Sequence, residues 1–169
     1  MKQLYLSGFG YLNVKAFGGA LTARNAREQR PISSKRAMHL VLRSSLATGE
    51  RSLLRYAGPI ETLTRRLAAG KGVRVYRYAN AGNHLHLIIL PRDRVAYRAF
   101  IRSVTGLIAR SVLHAERGRA RGIQFWDALP FTLIIEWGKQ FRAVMSYLLR
   151  NELEARRLIP YRRRRVRPP

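Results

Sequence analysis

The segment VRVYRYANAGNHLHLIIL, residues 73 to 90, constrains the fold more than any other stretch of the chain. Two runs of strand character flank NAGN, a strong turn signal, and Pro91 closes the second run, so the segment reads as a β-hairpin. Within HLHLIIL successive side chains alternate between the faces of a sheet. His84 and His86 therefore share one face, and Leu85 and Leu87 turn into a core on the other.

Patterning elsewhere supplies the partners of this hairpin. MHLVLRS, from Met38, is a short β-rich run, and Glu50 to Ala57 is ambiguous. Pro59 suits the first turn of a helix, which IETLTRRLAA continues until Gly70 and Gly72 stop it. Tyr97, Phe100, Ile101, Val104, Leu107, Ile108 and Val112 recur at spacings of three and four, giving one apolar helical face from about residue 94 to 115. FTLIIEW predicts a fourth strand, and Phe141, Val144, Met145, Leu148 and Leu149 mark a last helix. The order predicts an α+β, ferredoxin-like βαββαβ antiparallel sheet with helices on one face and an added C-terminal helix.

The chain has 169 residues, enough for one domain of ordinary size. Residues 1–36 carry glycines and Pro31 with no sustained period and read as an irregular basic N-terminal arm. Residues 37–155 hold the folded domain, and 156–169 form an Arg-rich tail. There is no cysteine, which excludes disulfide frameworks, thiolate zinc sites and cysteine nucleophiles. Apolar runs such as the one around Leu85–Leu90 fall far short of the roughly 20 residues a membrane-spanning helix needs. Polar residues and glycines interrupt the first apolar stretch, so a signal peptide is a poor reading of it. The expectation is a soluble, cytoplasmic, nucleoid-associated protein with no membrane partner.

The formal net charge is +24, from 33 Lys and Arg against 9 Asp and Glu, and 28 of the basic residues are Arg. A genome rich in G and C favours Arg over Lys, but codon bias does not by itself remove the acidic residues that would offset the charge. Guanidinium binds phosphate through a planar fork and stacks on bases, so the balance points to a polyanionic partner, nucleic acid above all. No segment reads as a basic amphipathic helix lying on lipid.

The chemistry-bearing residues are few. His84 and His86 stand about 7 Å apart along one strand face by the strand rise, close enough to converge on a metal ion and equally suited to a solvated sheet face. Asn83, just before them, has a separate explanation as a turn residue. Tyr147 and Asn151 lie one above the other on the last helix, at the edge of its apolar arc. A tyrosine there serves either as a boundary residue with a packed ring and a wet hydroxyl or as a nucleophile.

Taken in order, KRAMHLVLRSSLA, GNHLHLIIL, RSVTGLIARSV, FWDALPFTLIIEW and YLLRNELEA resemble the HUH single-tyrosine transposases, a family that includes IS200-like and REP-associated branches. The resemblance runs from about Lys35 to Tyr161, some three quarters of the chain. It implies the ferredoxin-like fold reached above from patterning. It also implies that His84 and His86 bind a divalent metal, Mg²⁺ or Mn²⁺, that Asn151 completes the metal site, and that Tyr147 is the nucleophile. Imidazole ligands alone would equally suit zinc or nickel. The implied activity is metal-dependent cleavage and rejoining of single-stranded, hairpin-containing DNA through a 5′-phosphotyrosine, as in DNA transposition, by a monomer or a homodimer. Many REP-associated relatives have Pro directly after the Asn, where this chain has Glu152. Residues 1–34 and the Arg-rich tail lie largely outside the shared core.

The remaining expectations concern DNA. Arg43 on the first strand, Arg117, Arg119 and Arg121 in a basic loop, and Arg162, Arg163, Arg164, Arg165 and Arg167 in the tail are candidate phosphate contacts. Trp126, next to Phe125, is a candidate stacking residue, with a place in the core as the equal alternative. His39 could contact phosphate or metal, though a partly buried structural histidine is the favoured reading, and His114 is read as surface. The rival account is a non-catalytic or domesticated nucleic-acid-binding protein that kept the fold.

Overall fold

The hairpin forms where its turn chemistry places it. The computed structural model describes residues 16–19, 29–115 and 122–161. In it β3 (Val73–Asn80) and β4 (His84–Pro91) pair antiparallel across the Ala81–Asn83 link. Gly82 sits there at φ +86, a conformation that side chains disfavour. Asn80, buried, accepts from the Gly82 N–H through Oδ1 at 3.0 Å and donates from Nδ2 to the Leu53 carbonyl at 2.9 Å. The turn is thereby tied to Leu53, which opens the second of two short 3-10 segments, Gly49–Arg51 and Leu53–Tyr56, in the ambiguous stretch.

β2 (Met38–Arg43) adds to β4, and β5 (Phe131–Ile134) adds to β2, all antiparallel. With β1 (Ala16–Phe17) on β5, the five-stranded sheet has the order β1-β5-β2-β4-β3. The helices are α1 (Ala57–Gly70), α2 (Arg94–Val112) and α3 (Lys139–Ala155). The four strands of the predicted βαββαβ unit are present in sequence and the α+β class holds. Among the described residues no helix is long and apolar enough to cross a membrane.

Alternation along the strands builds two cores. Met38, Leu40, Leu42, Leu85, Leu87 and Ile89 meet Ile60 and Ala68 of α1 and Phe100, Val104 and Ile108 of α2. On the opposite face Ala79, Ile88 and Ile135 meet Val144 and Leu148 of α3. The expected pair of helices thus packs on one face, and the added C-terminal helix covers the face that carries the histidines. Asp93 caps α2, its Oδ1 accepting from the Ala96 N–H at 2.7 Å.

Two elements differ from the sequence expectation. β5 ends at Ile134, with one more backbone bond from the Ile135 N–H to the Ala37 carbonyl at 2.8 Å; the Glu136 N–H then donates to Gln140 Oε1 at 2.6 Å and the chain turns into α3 through Gly138 at φ +89. The N-terminal arm is not irregular throughout, since Ala16 and Phe17 pair with Leu133 and Thr132. Gly18, at φ +87, makes that approach possible: a Cβ there would lie 2.0 Å from the Pro130 carbonyl oxygen.

Arg30 ties this edge down. Its guanidinium donates to the Pro130 carbonyl at 2.7 Å and to Thr132 Oγ1 at 2.8 Å, and lies 4.5 Å over the Phe17 ring. Its own carbonyl accepts from Arg94 at 3.0 Å. Replacing Arg30 by Met removes charge-assisted bonds from a half-buried site and is expected to lower stability by about 2 kcal/mol. A urea midpoint equal to that of the parent chain would contradict this role.

Candidate active site

The site is built from the α3 face of β2 and β4. Register sets Arg43 opposite His84, Val41 opposite His86 and His39 opposite Ile88, so these side chains share one face. His39 and His86 are diagonal neighbours. Their rings stack at 5.2 Å with an interplanar angle of 18°, and His39 Nε2 hydrogen-bonds His86 Nδ1 at 3.0 Å. His84 stands edge-on to His86 at 4.6 Å between ring centroids.

α3 brings the tyrosine to this group. Val144 and Leu148 are fully buried against the sheet, and Tyr147, adjacent on the helix, is half-buried. Its ring meets His86 edge-on at 5.8 Å and His39 at 6.4 Å. Asn151 lies one turn further on and is also buried. Glu152 fixes this end of the helix. It accepts from Arg77 of β3 at 2.8 Å and from Arg156 at 2.9 Å. The Arg77–Glu152 ion pair joins α3 to the edge strand β3.

Hydrogen bonds at one nitrogen of each imidazole direct the chemistry of the other. His84 Nδ1 lies 2.6 Å from Asn83 Oδ1, an acceptor, so that nitrogen is the donor of the pair. Asn83 is thus more than a turn residue. Burial, and after it the neighbouring His84, pushes His39 down to about 3, so its ring stays neutral at physiological pH. Among the described residues no three His, Cys, Asp or Glu side chains are grouped to hold a metal ion.

The other candidates divide. Arg43, partly exposed, lies across the strand from His84, with Nε 3.5 Å from Asp127 Oδ2. Asp127 is itself anchored by the Ser45 N–H at 2.6 Å and the Ser45 hydroxyl at 2.8 Å. Trp126 is not brought to the histidines. Its indole donates to the Thr105 carbonyl of α2 at 3.0 Å and packs, beside buried Phe125, against the core on the other side of the sheet. Arg117, Arg119, Arg121, Arg162, Arg163, Arg164, Arg165 and Arg167 lie outside the described residues. His114 is exposed, as expected, and its Nε2 lies 3.0 Å from the Tyr56 hydroxyl.

His39 is the residue whose part in the site the sequence understated. Only the cross-strand register reveals its contact with His86, although its alternation with Val41 and Arg43 was open to view. His39→Ala would remove a fully buried ring together with its hydrogen bond, and is expected to cost about 2 kcal/mol. Chemical denaturation of the variant checks this, and a loss below about 0.5 kcal/mol would show the contact to be energetically idle.

No protein-family model matches the chain, and no curated protein matches it. Among solved structures it is similar to one described as "a putative transposase" from Deinococcus radiodurans, at 15% identity and a TM-score of 0.43, over 69% of this chain and 89% of that one. A similarity so distant assigns no activity.

Proposed function

We propose that the protein is a DNA-strand transesterase of the single-tyrosine type, acting on single-stranded DNA beside a hairpin. The observation that carries the reading is the placement of Tyr147 against His86, with His84 alongside, on a chain of net charge +24. A phenol hydroxyl is a weak nucleophile, so the site has to make the phosphorus more electrophilic.

Two imidazoles and an amide oxygen suit a divalent cation; the resemblance favours Mg²⁺ or Mn²⁺, and the imidazoles alone would equally suit zinc or nickel. His84 and His86 each engage Nδ1 in a hydrogen bond, which points to Nε2 as the ligating atom, and Asn151 offers a neutral oxygen from the helix that carries the tyrosine. Bound there, the cation would withdraw charge from a non-bridging phosphate oxygen. Tyr147 Oη attacks phosphorus in line, the P–O3′ bond breaks, and a 5′-phosphotyrosine ester and a 3′-hydroxyl result. The phenol gives up one proton and the departing oxygen takes one up. The ester conserves the phosphodiester bond energy, so rejoining to another 3′-hydroxyl needs no nucleotide cofactor.

The test is covalent trapping. The protein is mixed with a pool of single-stranded, hairpin-containing oligonucleotides and Mn²⁺ or Mg²⁺, then run on a denaturing gel. A chelator-sensitive adduct supports the transesterase. Tight binding with no adduct under either metal favours the non-catalytic nucleic-acid-binding account, which the charge alone would satisfy.

A further inference from the structure

Trp137, between β5 and α3, is 45% exposed, yet its ring is fixed on every buried side. The indole Nε1 donates to the Lys35 carbonyl at 2.8 Å. Its ring lies 4.9 Å from Phe141 and 5.5 Å from Tyr76, and those two rings meet edge-on at 5.5 Å. Three aromatic side chains from β3, α3 and the link before α3 thus build a rigid wall with one indole partly open to solvent.

The surroundings are cationic. The Arg74 guanidinium lies 6.0 Å over the Tyr76 ring, and Lys35 and Lys139 are exposed beside the indole in space or in sequence. The neighbouring carboxylate of Glu136 is paired with Arg36 at 2.6 Å. An aromatic face held among exposed cations matches the flat π-surface and charged backbone of an unpaired nucleic-acid strand. A duplex, whose bases are already stacked, presents no such surface. The wall also shares the α3 face of the sheet with the histidines, and Lys139 and Tyr147 are separated by about 12 Å along the helix axis.

We propose that Trp137 is a base-stacking site for single-stranded DNA, positioning the strand that enters the Tyr147 site. The proposal rests on the reading of the protein as a single-strand binder and not on its chemistry. Its test therefore uses the full chain carrying Tyr147→Phe, in chelator, where no cleavage contributes. Binding of a fluorescent oligo(dT) is compared with binding of a blunt duplex. Trp137→Ala is expected to weaken oligo(dT) binding roughly five- to a hundred-fold and to leave duplex binding within about two-fold, while Trp137→Phe retains most of the affinity.

The chain has two tryptophans, so a Trp126→Phe protein reports on Trp137 alone. Its fluorescence is expected to be quenched by oligo(dT) and not by the duplex. This readout keeps the test open if Trp137→Ala fails to fold. Unquenched fluorescence at saturating oligo(dT), or equal loss of single-strand and duplex affinity in folded Trp137→Ala, would overturn the proposal.

Discussion

Tyr147→Phe is expected to reduce covalent adduct formation by at least about a thousand-fold while DNA affinity stays within about two-fold of the parent chain. The substitution removes one oxygen and keeps the ring. The ring's contacts, edge-on to His86 at 5.8 Å and to His39 at 6.4 Å, are therefore retained, as is the helix that Val144 and Leu148 anchor. A nucleophile has no substitute when its attacking atom is deleted, so the effect falls on the chemical step. The check is paired: adduct on a denaturing gel and binding by anisotropy, on the same oligonucleotide. An adduct at the parent level would remove Tyr147 from the mechanism, whatever the binding result.

The second large effect is expected at His84. His84→Ala should cut adduct yield at a fixed low Mn²⁺ concentration by at least about a hundred-fold, because losing a ligand exceeds the ten- to hundred-fold effect typical of an outer partner. His84 is the better probe of the two histidines. His86 is fully buried and hydrogen-bonded to His39, so its removal mixes folding with chemistry. His84 is only partly buried, and its hydrogen bond runs to Asn83, its neighbour in the chain. Calorimetric titration with Mn²⁺ gives a readout that does not need DNA. The parent chain is expected to bind, and His84→Ala to bind much more weakly. Equal affinities would mean that the imidazole pair is not a metal site.

Much of this architecture was open to reading because its elements are amphipathic. HLHLIIL alternates, so the face holding His84 and His86 followed from the period of a strand. The residues of α2 recur at three and four, and Phe100, Val104, Ile108 and Val112 are indeed fully buried. Tyr147 and Asn151 share a side of α3 because four residues make about one turn. What was hidden depended on tertiary contacts. Two residues carry no period, so β1 could not be seen, and the arginine that fixes it lies 13 positions from Phe17. IIEW continues a strand pattern, yet after the Ile135 N–H bonds Ala37 the Glu136 N–H goes to the Gln140 side chain instead of a strand.

The tryptophans make the same point. Both stand beside strand β5 in sequence, Trp126 before it and Trp137 after it, and both are flanked by charge. Trp126, for which stacking on bases and a place in the core were equal readings, is tied to α2 and packed into the core. Trp137 is the one left 45% exposed. The difference lies in which helix each loop crosses, a property of the fold and not of the local sequence. His39 is similar, since its contact with His86 joins residues 47 apart.

The central claim is that Tyr147 carries the DNA strand during the reaction, and the most direct measurement is to find the modified residue. The trapped adduct is digested with nuclease and protease, and the peptide bearing nucleotide mass is sequenced by mass spectrometry. The account predicts a phosphodiester-linked nucleotide on Tyr147. Nucleotide mass on any other residue, with the Tyr147 peptide unmodified, would contradict it.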